Sequence, residues 1–322
     1  MTAVTGRIKG LVFRRRYASV VIAMLALTGT GFVAPSLGCA DSNNTLGAPV
    51  YKTASVNGVD LAYQEIGSGE PLIWIMGYGG SMDLWSPRLL QDLSASYRII
   101  IFDNRGMGHS TSSDKEYSIP LFASDTLGLM DALQIEKATI VGWSMGTMIA
   151  QELTLDHPER VTKLILIAGS PGGKERIATG PEEAKLFADN SGTAQERGMR
   201  FIGLMFPPDW LASHPNIPSY FPIGTTINPV DRVQRQRKAI DDWTGSFSRL
   251  GQISAPTLIL VGDSDVIIAP ENSLLLTQGI RDSWLIRIQH AGHGLIFQYP
   301  DQISDEILTF LRDAGLITTA SR

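Results

Sequence analysis

The sequence predicts an α/β protein: a doubly wound, mostly parallel sheet covered by helices, carrying an inserted, mainly helical cap. Three observations predict it. Short apolar runs without alternation recur at Leu72 to Met76, Arg98 to Asp103, Ala138 to Trp143, Val161 to Ala168, Pro256 to Gly262 and Trp284 to Gln289, as strands buried on both faces require. Amphipathic stretches of helical length lie between them. The third observation is a break in this rhythm from 170 to 250, rich in Pro, Met and aromatic residues.

Composition sets the outer limits. Of 322 residues 43% are hydrophobic and 18% charged, which excludes a disordered or collagen-like chain. Residues 1–40 contain Arg7, Lys9, Arg14, Arg15 and Arg16 and no acid, leaving 22 basic against 32 acidic residues in the body. A body with a net charge of −10 repels phosphate backbones, so no nucleic-acid partner is expected.

Residues 1–40 read as an export signal. The basic residues end at Arg16, and an uncharged run follows whose most apolar part is Val20 to Leu27. Gly29, Gly31 and Pro35 then break the run before Cys39, the only cysteine, so no intrachain disulfide can form. Leu37-Gly38-Cys39 resembles a bacterial lipobox with Ser36 in place of the preferred aliphatic residue, which makes Cys39 the candidate for lipidation. Two other readings stay open, cleavage after Ala40 and an uncleaved signal anchor. All three place the body outside the cytoplasm, as a cell-envelope lipoprotein or a secreted or periplasmic protein.

The body follows a polar linker at 41–50. Asn57-Gly58 is a hairpin turn signal between two short strand-like segments. Residues 51–169 and 251–315 then supply the alternating core, with helices expected at Ile119 to Leu133 behind Ser118 as cap, at Met145 to His157 and at Ile303 to Leu311. An insertion of about 80 residues, 170–250, is read as a functional cap rather than a structureless loop.

The chemistry starts at Gly142-Trp143-Ser144-Met145-Gly146, where a strand run gives way to a helical one. A serine can present its Oγ at the top of a sheet only from a strained turn, and the residues two before and two after must be small because strand and helix crowd there. Ser144 is thus the candidate nucleophile. It needs a base and an acid that orients the base. Asp263 and Asp265 close one later strand run; His290 and His293 follow the next, with His293 in a glycine-flanked loop able to reach the carboxyl edge of the sheet.

Four segments together resemble the α/β-hydrolase superfamily over residues 51–315: Gly142 to Gly146, the turn Asp103 to Ser110, Gly262-x-x-Asp265 with Pro270 downstream, and Gly292-His293-Gly294. The resemblance implies Asp265 rather than Asp263 as the acid, with the chain order Ser, Asp, His. It also implies an oxyanion hole of two main-chain N–H groups, from Met145 and from Tyr78 in the loop Met76-Gly77-Tyr78-Gly79-Gly80. Met76 stands where that family usually has His. The expected reaction is attack by Ser144 on an acyl carbonyl, with His293 moving the proton, Asp265 stabilising the imidazolium, and an acyl-enzyme as intermediate.

Trp143, Met76, Phe206, Trp210 and Leu295 are the expected substrate-binding residues, as an apolar acyl or alcohol pocket near the elbow and the cap. The run Arg232, Arg235, Arg237 and Lys238 reads as a solvated helix face. Gly106-Met107-Gly108 ends in Thr111 where a dinucleotide loop needs Gly or Ala, and His290-x-x-His293 has no third ligand at motif spacing. No cofactor and no metal is implied.

The expected function is hydrolysis of a carboxylic ester of a small to medium hydrophobic substrate. A proline iminopeptidase-like aminopeptidase, a lactonase, a C–C hydrolase and a cofactor-free perhydrolase share the triad and stay open, as does a tethered ligand receptor that keeps the fold and turns over little. The expected partner is a small ester-like molecule, with membrane attachment only through an N-terminal lipid or signal anchor.

Overall fold

A computed structural model describes residues 50–313 except 190, 223 and 225; residues 1–49, on which the expected export signal and Cys39 fall, and residues 314–322 lie outside the described residues. The described residues open with a hairpin of β1 (Lys52–Val56) and β2 (Val59–Ile66), closed by Asn57 at φ 49° and Gly58 at φ 80°, the left-handed pair that a tight two-residue turn requires. The alternation then begins with β3 (Glu70–Ile75), α1 (Pro87–Ser94), β4 (Tyr97–Phe102), α2 (Ile119–Ala132), β5 (Ala138–Trp143), α3 (Met145–Asp156) and β6 (Val161–Ile167). A helical stretch follows, α4 (Pro181–Ala188), α5 (Ala194–Met205), α6 (Pro208–Ser213) and α7 (Val230–Asp241). The alternation resumes with β7 (Thr257–Gly262), α8 (Glu271–Gly279), β8 (Ser283–Ile288), α9 (Leu295–Gln298) and α10 (Pro300–Arg312).

Among the described residues the strands form one sheet of eight in the order β1-β2-β4-β3-β5-β6-β7-β8. β1 and β2 pair antiparallel at one edge, and from β4 onward every pairing is parallel. All six residues of β5 and of β7 are buried, which is why both appear in the sequence as continuous apolar runs. Two clusters cover the faces. Ile73, Ile100 and Ile140 pack against α2 and α3 on one side, while Trp74, Ile101 and Val141 pack with Leu89, Phe297 and Phe310 on the other.

Local signals set the helix ends. Ser118 accepts from Leu121 N ahead of α2, and Ser86 accepts from Leu89 N ahead of α1. Thr193 and Glu196 form a reciprocal capping box at the start of α5. Parallel pairing brings the carboxyl ends of β3, β4, β5, β7 and β8 to one edge, so the loops that follow them meet there.

Candidate active site

Ser144 links β5 to α3 with φ 57° and ψ −120°. Such a conformation costs a non-glycine residue about 1–3 kcal/mol. The surrounding bonds hold it: Ser144 N donates to Ile167 O at 2.9 Å, and Thr147 Oγ1 donates to Ser144 O at 2.7 Å. The flanking glycines are steric necessities. A Cβ on Gly142 would lie 2.3 Å from Gly146 O, and one on Gly146 would lie 2.0 Å from Ile75 O.

Asp265 and His293 arrive on loops after β7 and β8. His293 Nδ1 and Asp265 Oδ2 are 2.8 Å apart, and both residues are buried. A carboxylate only accepts, so the imidazole donates from Nδ1 and leaves Nε2 for a reacting group. The other carboxylate oxygen accepts from Ile267 N and Ile268 N, each at 2.9 Å, which fixes the plane of the acid. Asp263 is engaged elsewhere: its Oδ1 accepts from His290 N at 2.8 Å. Among the described residues neither Ser144 Oγ nor His293 Nε2 has a hydrogen-bond partner, so both are free for a reacting group.

The loop after β3 lies against the elbow, where a Cβ on Gly77 would approach Ser144 Cβ and Trp143 O to 3.1 Å. Its head is tied down by Asn104 Nδ2, which donates to Met76 O at 3.0 Å. The N–H groups of Tyr78 and of Met145, the first residue of α3, have no acceptor among the described residues. Two unpaired main-chain donors beside a strained serine can hold a developing oxyanion. Burial raises the Tyr78 phenol above its ordinary range.

Deeper in, Asp103 accepts from Met82 N and His109 N, both at 2.7 Å, and burial pushes its carboxyl up to about 6 against these two donors. Arg105 and Asp125 form a buried pair, with Nη2 to Oδ1 at 2.6 Å and Nε to Oδ2 at 2.8 Å. These contacts brace the turn after β4 that supplies Asn104.

A cavity of about 220 Å³ opens over Ser144. Tyr78, Met145, Ile177, Phe187, Ile240 and Ile267 give it apolar walls, and Arg176, Glu183, Arg237 and Asp241 add charge to them. The five expected substrate contacts are not among its lining residues. Trp143 and Met76 are buried in the core, and Trp143 Nε1 donates to His293 O at 3.2 Å. Phe206 fills the space beside Gly294, Trp210 stacks on it with ring centroids 5.1 Å apart, and Leu295 is buried at the start of α9. Large apolar side chains near a site most often fill its supporting core, and these do.

The basic run on α7 is divided. Arg237 and Lys238 are exposed and pair with Asp241 and Asp242, whereas Arg235 lies 3.9 Å over the Tyr117 ring. Gln236, between them, is buried and accepts from Gly79 N at 2.8 Å. Gln236 falls three residues after Val233 and four before Ile240, a helical spacing that places it on the inner face. That spacing was the signal available in the sequence.

The sequence profile for the alpha/beta hydrolase fold matches residues 70–199. A 2-hydroxy-6-oxo-6-phenylhexa-2,4-dienoate hydrolase of Comamonas testosteroni is 30% identical over 284 residues, covering 81% of this chain and 96% of the relative. The chain belongs to the α/β-hydrolase family. Among solved α/β-hydrolases, a fold protein from Chitinophaga pinensis superposes with a TM-score of 0.71 at 26% identity, covering 84% of this chain and all 100% of that one. A hydrolase from Pseudomonas aeruginosa PA01 gives 0.70 at 25% identity, covering 83% and 99%. As an α/β-hydrolase this protein is an enzyme of the hydrolase class, built on the fold its sequence predicts.

Proposed function

We propose that the protein is a serine hydrolase that cleaves a carboxylic ester of a small substrate through an acyl-enzyme. The observation that supports this reading is the 2.8 Å contact between His293 Nδ1 and Asp265 Oδ2, together with a strained serine that lines a cavity of about 220 Å³. In this mechanism His293 Nε2 takes the proton of Ser144 Oγ as the oxygen attacks the ester carbonyl. Asp265 stabilises the imidazolium, and the N–H groups of Met145 and Tyr78 hold the oxyanion. His293 then protonates the leaving alcohol and activates the water that releases the acid.

The helical stretch 170–250 acts here as the cap: its Phe187 and Arg237 line the cavity. Pocket size favours short acyl groups, since cavities for drug-sized ligands begin near 300 Å³. In this reading residues 1–40 export the enzyme, supported by the basic-then-apolar pattern that ends at Leu37-Gly38-Cys39, with Cys39 the candidate for lipidation. A second reading has a specific basis. The relative from Comamonas testosteroni is named for hydrolysis of a dienoate, and a C–C hydrolase would use the same three side chains.

The test is a p-nitrophenyl ester series from acetyl to long acyl chains, run in parallel with 2-hydroxy-6-oxo-6-phenylhexa-2,4-dienoate, on wild type and Ser144→Ala. Ester turnover that disappears in the variant and peaks at a short chain supports the proposal. Turnover of the dienoate alone replaces it with the second reading.

A further inference from the structure

We propose that Gln236 and Asn228, both from the stretch between β6 and β7, are positioning residues that hold the oxyanion loop in its working geometry; the inference rests on the reading of Tyr78 N–H as an oxyanion donor. The loop has little of its own to fix it. Met76 at its head has no hydrogen-bonding side-chain group, Gly79 sits at φ +67°, and the only turn bond within it is Gly80 N to Gly77 O at 3.3 Å. The two side chains supply what is missing. Gln236 Oε1 accepts from Gly79 N and Asn228 Nδ2 donates to Gly79 O, each at 2.8 Å. Tyr78 is therefore bounded by the elbow, which packs on Gly77, and by Gln236, which holds the next peptide N–H.

Asn228 also accepts from Gly108 N at 2.7 Å, so one amide joins the loops after β3 and β4. Those loops are already connected by Asn104 Nδ2 to Met76 O and by Asp103 Oδ1 to Met82 N. Gln236 contributes little to stability by itself. It is fully buried, and among the described residues its Nε2 has no partner, an arrangement that costs free energy in the folded state. Its return is the fixed orientation of Gly79. Oxyanion stabilisation depends on donors held in place before the reaction, so a loosened loop lowers the rate more than it weakens ground-state binding.

The experiment compares wild type, Gln236→Leu, Gln236→Glu and Asn228→Asp by three measurements: kcat and KM on p-nitrophenyl butyrate, Ki for phenylboronic acid, and Tm. The boronic acid reports the hole directly. Ser144 Oγ forms a bond to boron, its proton passes to His293, and the now tetrahedral, anionic boron presents an oxygen to the two N–H groups. Gln236→Leu is expected to lower kcat and raise the Ki together by roughly tenfold or more, with KM changed less than about twofold. Its Tm should not fall in proportion, because the unpaired Nε2 is removed as well. Gln236→Glu keeps an oxygen acceptor of the same reach and should restore most of kcat.

Asn228→Asp keeps the acceptor for Gly108 N but loses the donor to Gly79 O, and should show the same kcat and Ki pattern even if Gln236→Leu fails to fold. An unchanged Ki in the variants, or a loss confined to Tm, overturns the proposal while leaving the hydrolase reading intact. If Ser144→Ala binds phenylboronic acid as tightly as wild type, the hydrolase reading itself fails, and the positioning role with it.

Discussion

Trp143 Nε1 donates to the main-chain oxygen of His293 across 3.2 Å, so the strand that ends in the elbow also holds the loop that carries the imidazole. The indole lies 5.5 Å from the His293 ring and 5.7 Å from Phe297, within the core. Trp143→Phe keeps most of that packing and removes the donor. Stability should fall by about 1 kcal/mol, the net value of one hydrogen bond, while kcat falls several-fold as His293 loses its fixed position. Urea denaturation and ester kinetics on the same preparation separate the two effects.

Asp103 gives a pH dependence with a definite sign. Burial raises its carboxyl to about 6 in the folded protein, above the ordinary 3.8, although Met82 N and His109 N both favour the charged form. At low pH both folded and unfolded chains hold the proton. As pH rises from about 4 to 6 the unfolded chain releases it first, so stability decreases through this window and levels off above it. A shift of about two units corresponds to on the order of 3 kcal/mol. Asp103→Asn, which does not titrate, should flatten this part of the stability profile in denaturant titrations between pH 4 and 7.

The buried pair Arg105 and Asp125 supports the same turn from below, and Asn57 Nδ2 adds a bond to Asp125 Oδ1 at 3.1 Å. Asp125→Ala leaves the guanidinium buried without its counter-charge. The expected cost is about 3–5 kcal/mol, measured by urea unfolding.

Phe187 on α4 lies with its ring 5.8 Å from that of Tyr78, and both line the cavity. Phe187→Ala enlarges the space over Ser144. The optimum in a p-nitrophenyl ester series should move to longer acyl chains, with kcat on the acetyl ester little changed. An optimum that stays where it was would place the acyl group elsewhere.

What the sequence made legible was local. The runs at β5 and β7, the Asn57-Gly58 hairpin and the Ser118 cap could each be read because the residues that decide them are neighbours, and Gly142 and Gly146 are dictated by crowding within a single turn. Asp265 could be chosen over Asp263 only through family resemblance, since both close the same strand. Contacts made at long range were not legible. Gln236 meets Gly79 across 157 residues and Asn228 meets it across 149, and neither pairing leaves a mark on its own segment. The aromatic residues expected at the substrate show the same limit from the other side. Phe206 and Trp210 form a core with Tyr220, Phe221 and Phe297, and an apolar side chain that packs inside looks the same in sequence as one that lines a pocket.

The roles of Ser144 and His293 are tested by the site of covalent reaction with a fluorophosphonate, read by intact mass and peptide mapping. Attack by Ser144 Oγ on phosphorus expels fluoride, and one adduct is expected, on the peptide containing Ser144. The adduct should be absent in Ser144→Ala and form far more slowly in His293→Ala. Labelling at another residue, or at Ser144 with a rate indifferent to His293, would contradict the claim that these side chains form one catalytic unit.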